Sequence, residues 1–145
     1  EERFAALGDR MVAELGVDVV FTGGPGDRTD NRRIRRLMTA SAADLSGRTS
    51  LTMLAALYRR AALLVTTDTG PMHLAAAVGT PVVALFGPTA PWRTGPFGCG
   101  HRVVRTAPDC SPCFKRRCDR HQCRCMRDIT VAMVFDGVAE MLGHR

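Results

Sequence analysis

Between Leu63 and Thr89 two short apolar runs flank a short helix-forming segment, and few folds accept that order. Leu63-Leu64-Val65-Thr66-Thr67 reads as a strand, Asp68-Thr69-Gly70-Pro71 as a tight turn, and Met72 to Val78 as a helix closed by Gly79. Pro81 then leads into Val82-Val83-Ala84-Leu85-Phe86, a continuous apolar run of the kind buried on both faces of a parallel sheet. Two strands joined through a helix by such short turns imply a right-handed crossover. The predicted class is therefore α/β, a Rossmann-like parallel sheet with flanking helices.

The rest of the chain fits that frame. Phe4, Leu7, Met11 and Leu15 recur at spacings of three and four, which predicts a helix with one apolar stripe, stopped at Gly16. Val17 to Phe21 reads as a strand ending in the breaker cluster Thr22-Gly23-Gly24-Pro25-Gly26. A second helix is expected over Asn31 to Thr39 with Ile34, Leu37 and Met38 inward, then a connection around Asp44 to Gly47. Thr49 or Ser50 can cap a third helix carrying Leu51, Leu54, Leu57 and Tyr58. His101 to Arg105 suits a last strand, and Cys110 to Met126 an irregular loop. Thr130 to Leu142 suits a closing helix, with Val131, Val134, Val138 and Met141 or Leu142 inward.

The 145 residues are enough for one core and short for a two-domain enzyme. The longest apolar candidate, Leu74 to Phe86, is broken by Gly79 and Pro81, so no run reaches the roughly 20 residues that cross a bilayer. The opening Glu1-Glu2-Arg3 is not a signal peptide and carries no initiator Met, which reads as a fragment or excised domain. The net charge is +6, from 20 basic against 14 acidic residues. Much of the excess is in two groups. Arg32, Arg33, Arg35 and Arg36 read as a solvated face. Lys115, Arg116, Arg117, Arg120, Arg124 and Arg127 sit among cysteines and suit either a solvated loop or an anion-facing one.

Ligands of open parallel sheets gather at the carboxyl ends of the strands, where Asp68-Thr69-Gly70-Pro71-Met72-His73 opens a helix. The first turn of a helix offers unpaired N–H groups and partial positive charge, which suits a diphosphate. Gly70 lets an anion approach the backbone, Pro71 is at home in a first turn, Thr69 offers a hydroxyl, and His73 a ring nitrogen. Asp68 is a poor phosphate ligand and is expected to cap the helix and fix the loop, with a contact to sugar hydroxyls as the alternative. On these residues alone, an ordinary strand–turn–helix with an aspartate cap fits as well. Phe86-Gly87-Pro88-Thr89 ends the next strand, so two neighbouring strands finish in Gly- and Thr-bearing turns able to hold a diphosphate and its sugar. Gly23 and Gly24 could form a third wall, or belong to an ordinary loop.

The run Thr67-Asp68-Thr69-Gly70-Pro71-Met72-His73-Leu74-Ala75-Ala76-Ala77, continued by Gly79-Thr80-Pro81 through Phe86-Gly87-Pro88-Thr89, resembles the signature of glycosyltransferase family nine. These are the ADP-heptose:lipopolysaccharide heptosyltransferases. The resemblance extends upstream through Glu2-Arg3-Phe4-Ala5-Ala6-Leu7, Thr22-Gly23-Gly24-Pro25 and Thr49-Ser50-Leu51. Downstream it takes in Gly95-Pro96-Phe97-Gly98, Cys110-Ser111-Pro112-Cys113 and Cys125-Met126-Arg127-Asp128-Ile129-Thr130. It implies the C-terminal, donor-binding half of a two-domain GT-B enzyme, with Asp68, Thr69, Gly70, Met72 and His73 at the diphosphate and Thr89 near phosphate or sugar. It further implies inverting transfer of heptose from ADP-heptose to the lipid A–Kdo acceptor of lipopolysaccharide. No cofactor or metal is needed if helix N–H groups and His73 stabilise the leaving diphosphate.

The family's base is an aspartate of the N-terminal acceptor domain, and a donor-contacting lysine precedes the Glu2-Arg3-Phe4 helix. Neither is in this sequence, so no catalytic residue is assigned. Thr52 and Met53 stand where the family tends to carry a ribose-binding glutamate, and Ala90 where an aspartate is common. The resemblance implies a cytoplasmic enzyme, peripheral to the inner membrane, in which the basic loop meets anionic lipid. Nucleic acid is not an expected partner.

Six cysteines are present, five of them in Cys110-x2-Cys113-x4-Cys118-x4-Cys123-x-Cys125, with Cys99 ahead of them and His121 among them. Nothing argues for secretion, so reduced thiols in a reducing compartment are expected. Only the first pair has the spacing of a zinc knuckle, and no metal site is assigned. Two competing readings remain open: a basic zinc module contacting anionic lipid or nucleic acid, and another GT-B enzyme such as a nucleotide-sugar epimerase.

Overall fold

A computed structural model describes residues 1–119 and 122–143 of the chain, which divide into two units, Glu1–Leu54 and Ala55–Gly143. Arg120 and His121 lie outside the described residues.

The first unit holds α1 (Glu2–Leu15), β1 (Val19–Phe21), a 3-10 turn (Pro25–Asp27), α2 (Arg28–Leu37), β2 (Ala42–Asp44) and the start of α3 (Leu51–Arg60). The expected stop of α1 is present: Gly16 adopts φ 64° and its N–H bonds the Val12 carbonyl. Its inward stripe is shifted. Ala5, Leu7 and Gly8 are buried, whereas Phe4 is exposed. Met38 lies against Gly8, where a Cβ would approach its Cε to 2.7 Å. That contact places Met38 just past the end of α2, leaving Ile34 as the buried residue of that helix and Leu37 half exposed. The expectation of Leu37 inward is thus corrected: a helix starting at Arg28 instead of Asn31 ends before the turn that would bury it.

The segment read as a connection also needs correcting, because Ala42–Asp44 is a strand. It pairs in parallel with β1, Val19 against Ala42 and Phe21 against Asp44. Asp9 closes the approach to it, its carboxylate accepting from the Thr39 and Ala40 N–H groups at 2.8–3.0 Å. The N–H groups of Ala40 first and Thr39 next, bonding the charged form, hold the Asp9 carboxyl below its usual range.

The second unit continues α3 and adds β3 (Leu64–Thr67), α4 (Gly70–Ala77), β4 (Val82–Phe86), α5 (Pro91–Thr94), β5 (Arg102–Arg105), α6 (Arg124–Arg127) and α7 (Val131–Met141). Its sheet is all parallel in the order β3-β4-β5. β4 is the middle strand and every residue of it is buried, as its unbroken apolar run requires. α7 packs on β4 and β5 through Val134, Phe135 and Val138. Gly137 faces the same strands, where a Cβ would stand in ordinary contact with Val83, Arg102 and Val104 at 3.4–3.8 Å. Thr130 caps α7 by accepting from the Met133 N–H at 3.2 Å, and Ser50 does the same for α3 through Met53. Two short helices went unread. Pro91–Thr94 forms α5, and the loop expected to be irregular contains α6. No helix among the described residues is long and apolar enough to cross a membrane.

Candidate functional site

In the second unit, β3 runs through Thr67 into Asp68, and α4 begins at Gly70 with Thr69 as its N-cap residue in extended conformation (φ −146°, ψ 170°). Pro71 occupies the first turn, where its missing N–H matters least. No side chain caps the helix. The expectation that Asp68 does so is corrected: its Oδ2 instead accepts from Thr94 Oγ1 at 2.9 Å, a bond reaching across to the end of α5. Thr69 turns its hydroxyl inward, donating to the Thr67 carbonyl at 3.3 Å and standing 3.3 Å from Thr66 Oγ1. The mouth of α4 is therefore open to a ligand. The Gly70 N–H receives no side-chain cap among the described residues, Thr69 and Gly70 are exposed, and a Cβ built on Gly70 meets nothing within 4 Å there. His73, one residue beyond that first turn, is also exposed. Met72 differs from these. Its side chain is fully buried and its N–H bonds the Thr69 carbonyl, so it anchors the turn from behind instead of lining it.

β4 ends in Gly87-Pro88-Thr89, the second turn singled out by sequence. β3 and β4 are hydrogen-bonded neighbours with Thr67 in register with Leu85, so the two turns leave the same edge of one sheet. The Thr89 hydroxyl is buried and has no hydrogen-bond partner among the described residues, an orphan that a ligand oxygen can satisfy. Gly87 has a packing role: a Cβ on it would collide with Met126 Sδ and stand 2.7 Å from Met126 Cγ. The loop that follows wraps this turn from both ends. Cys113 and Phe114 donate their N–H groups to the Pro88 carbonyl at 2.9 and 2.8 Å, Ser111 donates to the Gly87 carbonyl at 2.7 Å, and Met126 returns onto Gly87. Arg93 stacks on Phe114 at 4.9 Å and Arg105 on Trp92 at 5.4 Å.

Gly23 and Gly24 lie in the other unit, at the end of β1. Their turn is closed on itself: the Gly24 N–H donates to Asp27 Oδ2 at 2.7 Å, and the Gly23 carbonyl accepts from Gly47 at 2.8 Å. A Cβ on Gly23 would meet Asp27 Cβ at 2.8 Å. Glycine there admits the Asp27 side chain.

The cysteines form no disulfide among the described residues, and no group of three or more His, Cys, Asp and Glu converges to hold a metal ion there. Cys110, Cys118 and Cys123 share the rim of a shallow hollow with Pro108, Asp109, Gln122 and Arg124. Burial pushes the Cys125 thiol up, helped by repulsion from the thiolates of its neighbours.

Thr94 and Met126 were not singled out by sequence. Thr94 meets a partner 26 residues away, so no local pattern announces it.

The sequence model of glycosyltransferase family 9 (heptosyltransferase) matches residues 1–123. The chain is 36% identical over 106 residues to lipopolysaccharide heptosyltransferase 2 of Escherichia coli, covering 70% of this chain and 30% of that protein. Against lipooligosaccharide heptosyltransferase 2 of Haemophilus influenzae it is 31% identical with the same coverage. A crystal structure of a family 9 glycosyl transferase from Veillonella parvula superimposes with TM-score 0.84 at 28% identity, over 99% of this chain and 41% of that one. The ADP-heptose lipopolysaccharide heptosyltransferase II of Escherichia coli does so with TM-score 0.82 at 27% identity, over 97% and 40%.

Proposed function

The chain belongs to glycosyltransferase family 9, the heptosyltransferase family, and from that premise we propose that it is the nucleotide-sugar-binding half of an enzyme transferring heptose from ADP-heptose to the inner core of lipopolysaccharide, with inversion. The chain spans about a third of the length of the curated relatives it matches. In this reading it is the C-terminal half of a GT-B transferase. The acceptor-binding half supplies the base that deprotonates the acceptor hydroxyl.

The observation that carries the reading is the open mouth of α4 after β3, together with the orphaned Thr89 hydroxyl after the neighbouring strand β4. In the proposed complex the diphosphate lies against the first turn of α4. Gly70 leaves room for its oxygens and offers its own N–H at the positive end of the helix, and His73 donates or carries charge. Thr89 bonds a phosphate or sugar oxygen. Asp68, held by Thr94, sets the shape of the turn, and Pro71 and Met72 hold the helix start in place. As the anomeric C–O bond breaks, negative charge grows on the leaving diphosphate, and donors fixed in advance stabilise it without having to reorganise. No cofactor enters this scheme.

Calorimetric titration of ADP, UDP and GDP into the chain, after a cooperative melt has been recorded, tests the proposal. ADP is expected to bind best, and His73→Ala to weaken it about tenfold, since a hydrogen bond to a charged group contributes about 1.5–3 kcal/mol. A folded chain that ignores all three nucleotides, or a His73→Ala variant that binds unchanged, would overturn it.

We also propose peripheral contact with the anionic inner membrane through the exposed Arg116 and Arg117 and the neighbouring Lys115, which pairs with Asp119. Neutralising all three should abolish co-sedimentation with anionic liposomes at low salt; unchanged sedimentation would sink the idea.

A further inference from the structure

Cys118 and Cys123 are not among the proposed nucleotide contacts and lie next to each other in the loop. The Cys123 N–H donates to Cys118 Sγ at 3.4 Å, and both residues rim the same hollow together with Cys110. Cys123 sits in the left-handed region (φ 45°). It is exposed and Cys118 is half-buried, so reagents reach the pair from the Cys123 side. The proximity of Cys118, more than burial, raises the Cys123 thiol, and the charge of Arg127 offsets part of that rise.

We propose that Cys118 and Cys123 are a dithiol modification site that closes to a disulfide with a low-molecular-weight disulfide such as oxidised glutathione. The Cys123 thiol loses its proton and the thiolate attacks one sulfur of the oxidant, forming a mixed disulfide and expelling one thiolate, which takes up a proton. The Cys118 thiolate then attacks Cys123 Sγ, forms the internal S–S bond and expels the second thiolate. The protein loses two hydrogens and the oxidant becomes two thiols. The bridge falls between the two anchors of the loop, the Ser111, Cys113 and Phe114 bonds to Gly87 and Pro88 on one side and Met126 on the other. Closing it shortens the free path of the chain around the turn that carries Thr89. This chemistry does not depend on the nucleotide reading.

The sequence makes the test direct, because Arg117, Arg120, Arg124 and Arg127 put each of Cys118, Cys123 and Cys125 on its own tryptic peptide. The whole chain is equilibrated in glutathione buffers, free thiols are blocked with iodoacetamide, and a non-reducing digest is analysed by mass. The peptide 118–120 linked to 121–124 is expected to exceed every other linked pair of peptides about tenfold, because the bond from the Cys123 N–H to Cys118 Sγ already holds the two residues together and gives their thiols millimolar or higher effective concentration. In Cys123→Ser, Cys118 should end as a glutathione adduct instead of shifting to Cys110, Cys113 or Cys125. Scrambled pairing among the five loop cysteines, glutathione adducts at both positions in the unmodified chain, or no oxidation of either would each overturn the proposal.

Discussion

Replacing Gly87 by alanine separates two reasons for having glycine there. One is access for a ligand; the other is the Met126 side chain, which occupies the space a Cβ would fill. The added carbon would overlap Sδ and lie 2.7 Å from Cγ of Met126, both in the middle of the side chain, so a terminal rotamer change does not relieve the clash. Overpacking of this kind costs about 1–3 kcal/mol. For a chain of 145 residues that lowers Tm by roughly 4 °C per kcal/mol. Met126→Ala removes the obstructing atoms and, at a half-buried position, should itself cost about 1–2 kcal/mol. The double variant Gly87→Ala/Met126→Ala is then expected to be more stable than the sum of the singles by at least about 1 kcal/mol, a coupling typical of residues in contact. Urea titrations of the four proteins followed by far-UV circular dichroism, with a common m-value, measure that term. Nucleotide titration on the same four adds the functional arm: if packing is the reason for Gly87, binding falls in Gly87→Ala and returns in the double variant. Strict additivity of the stabilities would refute the packing argument, and binding lost in both would assign Gly87 to the ligand.

Thr80→Val removes the buried hydroxyl that donates to the Tyr58 carbonyl at 2.6 Å. It should lower stability by about 1 kcal/mol, with Thr80→Ser closer to the parent, read by chemical denaturation. Thr94→Val frees Asp68 Oδ2 from its partner, so nucleotide affinity should fall several-fold in calorimetry while Tm stays within a few degrees. Asp9 has a depressed folded pKa, so its stabilisation is present above its unfolded value of about 4 and is lost as pH falls through the lower folded value. Melting curves from pH 7 to pH 3 should therefore show a shallower acid decline in Asp9→Asn than in the parent. A parallel decline in the two would count against the assignment.

The parts of the fold that rest on neighbours in sequence were legible. Val82–Phe86 has no polar residue to present to water, and Gly16 and Thr130 are local stop and start signals whose physics lies within one helical turn. β2 was not legible, because Ala42-Ala43-Asp44 has no strand preference of its own and becomes a strand only by pairing with β1. At the candidate site, the turn residues Asp68 to His73 could be picked out, but not their division of labour. Asp68 looked like a cap because aspartate caps helices; Thr94, far along the chain, takes its carboxylate instead. Met72 looked like a wall and is an anchor, since its apolar side chain has a core to enter. Gly87 and Met126 meet only after β4, β5 and the cysteine loop have formed.

The strand order β3-β4-β5 has a consequence for how the second unit comes into being. β4 pairs with β3 and β5 with β4, Leu64 with Val82 and Val83 with Arg102, about twenty residues later each time. No strand waits for a distant partner, so the sheet can grow in the direction of synthesis, rung by rung as the chain leaves the ribosome. Its last layer is α7, which must arrive to cover β4 and β5, and until Val134 and Val138 dock, the newest strands hold an apolar face open to chaperones and to one another.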